Sequence, residues 1–134
     1  MNPSKKIRAE FAVFLGVLLL AMASPVHADV KDYEFQLIKS ELKKGDAVVE
    51  VRLVNKKTKQ PVPDAVIFAK RIDMAPDNMA MMDSPLETLP STQPGVYRFK
   101  TYLSMAGGWQ LSLGAKVQGE EGTVESKLIL KALP

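Results

Sequence analysis

Five methionines carry most of the chemistry that this sequence offers after residue 28. Four of them lie within nine residues and the fifth lies four residues before the single tryptophan of the chain: Met74, Met79, Met81, Met82 and Met105. A thioether is a soft, neutral ligand that suits Cu(I) or Ag(I) and is a poor ligand for Mg²⁺ or Ca²⁺. The ring of Trp109 could cover such a cation, and Asp73, Asp77 and Asp83 add negative potential. The cluster therefore predicts a soft-metal site.

Two other interpretations of the methionines stay open. Methionine fills irregular gaps in protein cores, so each of the five could serve packing alone. Methionine-rich surfaces also bind protein partners. Clustering argues against packing, because none of the predicted strands contains a methionine and all five lie in a predicted loop or turn. Trp109 taken alone is more typical of the core of a β-sandwich.

Composition excludes several classes of enzyme. The 134 residues contain no cysteine, and the single histidine, His27, lies in a segment that we expect to be removed. A disulfide framework, a Ser-His-Asp triad and a zinc site built on Cys or His are therefore excluded from the mature protein. Carboxylate catalysis needs two acids that face each other in a cleft, and the spacing selects no such pair among Asp73, Asp77, Asp83 and Glu87. We expect no enzymatic activity.

Residues 1–28 have the three-part layout of an export signal. Three basic residues precede an apolar run at 11–22, and the segment ends in the small residue Ala28 with Val26 two positions before it. The run is about 12 residues long, whereas a spanning helix needs about 20. The sequence therefore predicts a cleaved signal peptide, a periplasmic protein and no membrane span after cleavage. An uncleaved membrane anchor is the alternative.

Most of the net positive charge of the chain lies in this predicted signal. The full sequence carries 18 Lys and Arg against 15 Asp and Glu, a formal charge of +3. Cleavage after Ala28 removes three basic residues and Glu10, which leaves 15 basic against 14 acidic residues. A domain with a charge of +1 lacks the field that attracts phosphates, so we expect no nucleic-acid partner.

Alternation of apolar and polar residues predicts a chain built from short strands. The predicted strands cover 33–37, 49–55, 62–69, 95–103, 109–113 and 124–130. Between 72 and 94 the alternation stops and four prolines occur, which predicts a long loop that holds four methionines. The glycine-flanked pair Glu120 and Glu121 is more typical of a solvated turn than of a metal site. An all-β, immunoglobulin-like antiparallel sandwich spanning 29–134 follows.

Four motifs, at 58–66, 74–81, 95–97 and 105–109, occur in an order that resembles the YtkA-like/FixH-like family of bacterial exported or membrane-anchored domains. The resemblance covers about residues 48–117, and its most specific element is the pairing of the methionine loop with the Gly-Trp hairpin. It implies an immunoglobulin-like sandwich and a link to copper supply or heavy-metal efflux. It also implies a metal-binding role for Met74, Met79, Met81 and Met105 only. Met82 and Trp109 are additional candidates by residue type and not through the resemblance.

The sequence thus predicts a periplasmic protein that binds Cu(I) or Ag(I) through two to four thioethers and passes it to an envelope partner, such as a metal-efflux or copper-delivery component. The alternative is a metal-free interaction module that docks through its methionines. For Met105 to share an ion with the 72–94 loop, that loop must fold back over the 104–108 turn. We expect the loop to be mobile until metal binds.

Overall fold

The computed structural model describes residues 29–134, so the predicted signal peptide at 1–28 lies outside the described residues. Nine strands form two sheets that enclose one buried cluster. The first sheet contains, in spatial order, β1 (Tyr33–Leu37), β3 (Gly45–Asn55), β7 (Val96–Leu103) and β6 (Glu87–Leu89). The second contains β2 (Glu41–Lys43), β9 (Val124–Leu133), β8 (Gly107–Lys116), β4 (Val66–Met74) and β5 (Met79–Ser84).

All paired strands run antiparallel except β2, which is parallel to β9. The longest uninterrupted pairing joins β8 to β9, from Gly107 opposite Ala132 to Ala115 opposite Val124. In the first sheet, β3 pairs with β7 from Gly45 opposite Leu103 to Arg52 opposite Val96. These two pairings form the centre of the sandwich.

The core lies between the sheets and follows the alternation of the central strands. Trp109, Leu111 and Leu113 are buried along β8. Phe99 of β7 belongs to the same buried cluster, with inward-facing residues of β3, namely Val49, Val51 and Leu53. Successive side chains of a strand point to opposite faces, so a period of two in the sequence produces one buried face. The predicted β-sandwich is confirmed.

The prediction of a long loop over 72–94 is wrong. Residues 72–74 finish β4, a short 3-10 helix (Ala75–Asp77) makes the turn, and β5 and β6 follow. The four prolines lie in that helix or between strands, where a missing N–H costs no ladder hydrogen bond. Alternation fails here because β5 and β6 are short edge strands with mostly exposed side chains. The expectation that this segment is mobile until metal binds stays a prediction.

Strand boundaries differ from the sequence prediction mainly in the second sheet. The strand predicted at 62–69 begins and ends later, as β4 (Val66–Met74), and the short β2 was not predicted. Residues 62–65 instead approach β7, where the Tyr97 hydroxyl donates a hydrogen bond to the Val62 carbonyl at 2.7 Å.

The part of the chain that the structure describes, residues 29–134, contains no helix with the length and apolar character that a membrane span requires.

Candidate functional site

The turn between β4 and β5 brings two of the predicted ligands together. Met74 is the last residue of β4, Met79 is the first of β5, and they are register partners. Asn78 adopts a left-handed backbone with φ of 59° and donates its N–H to the Ala75 carbonyl, which closes the turn. Residues directly opposite each other in an antiparallel pair have Cβ atoms about 5 Å apart. Met74 and Met79 are therefore neighbours.

This turn is fixed against the beginning of β8. The Gly108 N–H donates a hydrogen bond to Asp77 Oδ2 at 3.0 Å, across 31 residues of sequence. Gly107 has φ of 137°, and a Cβ at this position would collide with the Asp77 carboxylate and lie 3.1 Å from Met74 Cε. A Cβ at Gly108 would lie 2.9 Å from Pro76 Cβ. Two successive glycines are required because the turn and β8 approach each other closely.

Met105 lies at the same end of the sandwich and precedes Gly107 in the chain. It lies in the connection between β7 and β8, and its carbonyl accepts a hydrogen bond from Trp109 Nε1 at 3.0 Å. Since Met74 Cε packs next to Gly107, only Ala106 separates Met105 from this contact along the chain. The β4–β5 turn does pack against the start of β8, and a shared ion between this segment and Met105 stays a prediction. We call the end of the sandwich at which Met74, Met79 and Met105 lie the methionine end.

The methionines differ widely in exposure. Met74 is fully buried, and Met79 is half-buried against the core. Met82 and Met105 are 37% and 42% exposed, and Met81 is 88% exposed. The sequence argument that no methionine belongs to a strand is wrong, because four of the five lie in β4 or β5. Met74 is packed in the core, whereas Met81 is almost fully exposed. A ligand role for either residue stays a prediction.

Trp109 is fully buried, and its indole N–H is used by the Met105 carbonyl. An ion that touches the ring must therefore lie below the surface, beside the 104–106 connection. The core interpretation of Trp109 agrees with its burial. Its additional role as a cover for a cation stays a prediction.

An arginine organises the acidic residues next to the methionines. Arg71 Nε lies 2.7 Å from Asp73 Oδ2, and its Nη1 lies 3.1 Å from Asp83 Oδ2. Hydrogen bonding to Asp73 is the main reason that the pKa of Arg71 is raised, and the charge of Asp83 acts in the same direction. Asp73 is buried and also accepts the Ala75 N–H. These two carboxylates are thus held by one guanidinium, whereas Asp77 binds a backbone amide.

Carboxylates alone do not form a metal centre in the part of the chain that the structure describes. Across residues 29–134, no group of three or more His, Cys, Asp or Glu side chains is arranged to hold an ion. At the opposite end of β8, Glu120 is half-buried rather than fully solvated, and its Oε2 has no hydrogen-bond partner among the described residues. Burial raises the pKa of the nearby Tyr33, and the charge of Glu120 raises it further. A metal at the methionine end would depend on thioethers.

Sequence reasoning did not assign Arg71 to the site, and it gave Asp77 only a contribution to the negative potential. Arg71 donates from Nη2 to the Ala80 carbonyl at 2.7 Å, which fixes the backbone of β5 next to Met81. Asp77 joins the turn to β8 through the Gly108 amide. Adjacent glycines before a buried tryptophan were the available signal that another segment packs closely there.

Comparison with known proteins assigns the family. The profile of the YtkA-like family matches residues 27–114. No curated protein sequence is similar enough to this chain to count as a match. A crystal structure of a DUF4426 family protein from Pseudomonas aeruginosa PAO1 is 15% identical with a TM-score of 0.54, and the alignment covers 83% of this chain and 98% of that one. The Lin-41 filamin domain is 13% identical with a TM-score of 0.48, covering 82% and 98%.

The likeness to the DUF4426 family protein concerns the fold alone, because the identity is low. The family match covers most of the described sandwich, from before β1 to Gly114 in β8. It includes the β4–β5 turn, both adjacent glycines and Trp109. The match agrees with the resemblance seen in the sequence motifs. This chain belongs to the YtkA-like family.

Proposed function

We propose that this protein binds one Cu(I) or Ag(I) ion at the methionine end and passes it to an envelope partner. The observation that carries the proposal is the pairing of Met74 with Met79, together with the arrival of Met105 at the same place through Gly107. The proposed ligands are Met74, Met79, Met81 and Met105, and Met82 and Trp109 are additional candidates. The role is one of binding and delivery and not of catalysis.

The chemistry of these side chains favours soft monovalent ions. Thioethers are neutral and need no deprotonation, so a site built from them binds without releasing protons. This region holds three carboxylates and one guanidinium, which belong to Asp73, Asp77, Asp83 and Arg71. Their net negative charge attracts cations, although the carboxylates do not act as ligands. A site free of cysteine also suits an exported protein, because thiols oxidise in that compartment.

The graded exposure of the methionines supports transfer rather than storage. Met81 projects into solvent, whereas Met79 and Met74 lie progressively deeper. An ion can exchange ligands one at a time along such a series, and a partner can contact the outermost thioether first. The membership of an exported-domain family and the signal-like segment at 1–28 are consistent with delivery in the periplasm.

Metal titration tests the proposal directly. The protein purified from the periplasm is titrated with Ag(I), with Cu(I) under reducing conditions and with Zn²⁺, and the fluorescence of Trp109 is followed. Trp109 is the single tryptophan of the chain and is hydrogen-bonded to Met105, so it reports on that end. We expect saturation near one equivalent of Ag(I) or Cu(I) and retention after desalting. A flat response without retained metal, or tighter binding of Zn²⁺, contradicts the proposal.

Methionine-to-leucine variants identify the ligands, because leucine keeps size and apolarity but removes sulfur. Met79→Leu and Met105→Leu should each weaken Ag(I) retention by about tenfold or more, with little change in the free energy of unfolding. Val48→Leu, which alters an exposed apolar residue of β3, is the matched control and should retain the ion.

A second function, docking on a protein partner without metal, is favoured by the exposure of Met81 on an edge strand. In that case the same leucine variants should preserve function, since they keep the apolar surface. Assaying the variants for both partner capture and Ag(I) retention separates the two functions.

A further inference from the structure

Met81 occupies an unusual position for a methionine. It has the largest exposed fraction of the large hydrophobic side chains within residues 29–134. It lies on β5, the outer edge of the second sheet. The register between β4 and β5 shifts after Asp73, so that among the described residues Ala80, Met81 and Met82 have no partner in β4. The sulfur of Met81 is therefore accessible in the folded protein without any opening of the sandwich.

The other methionines are shielded to different degrees. Met82 and Met105 expose less than half as much of their surface as Met81, and Met74 exposes none. Met74 also has Gly107 and the Asp77 turn packed against it. Oxidation of a methionine requires contact between its sulfur and the oxidant, so the rates should follow this order of exposure.

We propose that Met81 is an oxidation site, converted to methionine sulfoxide by hydrogen peroxide or another neutral two-electron oxidant before the other methionines of the folded domain. The sulfur lone pair attacks one peroxide oxygen, the O–O bond breaks and an S–O bond forms. The second oxygen leaves as water after proton transfer. Sulfur loses two electrons and the peroxide gains them. Because the oxidant is neutral, the nearby carboxylates do not repel it.

The position of Met81 determines what this modification does. A sulfoxide is polar, and in the core it would disrupt packing. On the exposed edge the same change removes no buried contact, so the fold should remain intact. The backbone beside it stays held by the hydrogen bond from Arg71 to the Ala80 carbonyl.

One consequence rests on the proposed function. A sulfoxide presents a hard oxygen in place of a soft sulfur, so oxidation at Met81 should weaken the capture of Cu(I) or Ag(I). Met74 and Met79 keep their thioethers in the same molecule. Oxidation would then regulate the entry of metal while the inner part of the site persists.

The order in which the methionines are oxidised is tested on the protein without bound metal. The full exported protein is exposed to limiting hydrogen peroxide, and each methionine is quantified over time by peptide mass spectrometry. We expect Met81 to react at nearly the rate of free methionine and about fivefold or more faster than Met82 or Met105, with Met74 slowest. In guanidinium chloride the five rates should become equal. Oxidation of Met105 or Met82 before Met81, or equal rates in the folded protein, would overturn the proposal.

The effect on metal binding is measured separately on the singly oxidised protein. Met81→Leu is the matched variant, because it lacks the sulfur and cannot be oxidised at this position. Both should show weaker Ag(I) retention than the untreated protein and an unchanged unfolding midpoint in urea. Full retention by both would refute the regulatory consequence. If the untreated protein retains no Ag(I), the proposed function fails, and the oxidation order still decides the modification site on its own.

Discussion

Two hairpins of the second sheet, β8–β9 and β4–β5, are built in contrasting ways. The β8–β9 pair runs without a register shift, and β8 buries Trp109, Leu111 and Leu113. The β4–β5 pair has a register shift after Asp73, and most of β5 is exposed. Both hairpins contribute to the methionine end, one through Gly107 and the other through Met74 and Met79.

This contrast assigns the stability of the fold mainly to β8–β9 and the proposed metal binding mainly to β4–β5. Burial of apolar side chains stabilises a fold roughly in proportion to the area removed from water, so β8 must carry far more of the stability than β5. A strand that contributes little to stability can carry exposed thioethers without cost to the fold. In the proposed function, the central hairpin fixes the position of the methionine end, and the edge hairpin presents the proposed ligands.

Truncation of one residue in each hairpin is the strongest test of this contrast. Leu111→Ala removes a fully buried side chain from β8 and should lower the free energy of unfolding by about 2–5 kcal/mol. Met81→Ala on β5 should change it by less than about 0.5 kcal/mol. Urea unfolding followed by circular dichroism measures both. Similar losses at the two positions would show that β5 is part of the stabilising core.

The contact between the two hairpins is broken by a single methyl group. Gly107→Ala places a Cβ against the Asp77 carboxylate and close to Met74 Cε, at a backbone φ of 137° that alanine rarely adopts. We expect a loss of about 1–3 kcal/mol from overpacking and backbone strain. Ag(I) retention should fall as well, since the β4–β5 turn must move away from Met105.

Gly45→Ala is the control for Gly107→Ala. Gly45 also has a positive φ, of 104°, but a Cβ there meets nothing within 4 Å. Its substitution should show the cost of backbone strain alone and should leave Ag(I) retention unchanged. Equal effects on retention at the two glycines would mean that the close approach of the turn to β8 does not organise the site.

The same contrast explains how far the sequence predicts the fold. Alternation identifies β1, β3, β7, β8 and β9 because one face of each is buried and the other is not. The edge strand β5 lacks that signal, and the end of β4 buries Ile72, Asp73 and Met74 in succession. Asp73 can be buried only because Arg71 and the Ala75 amide satisfy its carboxylate, and this depends on tertiary contacts that periodicity does not reveal.

Sequence indicates which residue types lie in the candidate site, but it does not indicate how they are arranged. The methionines indicate soft ligands by residue type alone, and that role stays a prediction. The hydrogen bond between Asp77 and Gly108 spans 31 residues and has no local signature. Burial of Met74 and exposure of Met81 likewise follow from the position of each strand in the sheet, so five similar residues acquire different environments.

The smallest loss of stability that we expect from removing a tertiary contact concerns the segment that leads into β4, which Tyr97 of β7 holds. Its hydroxyl donates to the Val62 carbonyl and accepts the Ala65 N–H at 3.0 Å. Tyr97→Phe should cost about 1 kcal/mol at neutral pH through these hydrogen bonds. Tyr102→Phe, at an exposed ring of the same strand, is the control and should cost less.

The pH dependence of the free energy of unfolding provides a second test of this variant. Burial raises the pKa of Tyr97 above its ordinary value of 10.0, so above about pH 10 the unfolded chain loses this proton while the folded protein retains it. The free energy of unfolding should therefore fall as pH rises through that range. Tyr97→Phe should reduce the fall without abolishing it, because the pKa of Tyr33 is raised as well. Urea unfolding at pH 8 and at pH 10.5 measures the change; an identical fall in the variant and the wild type would show that Tyr97 does not anchor the entry to β4 as a neutral hydroxyl.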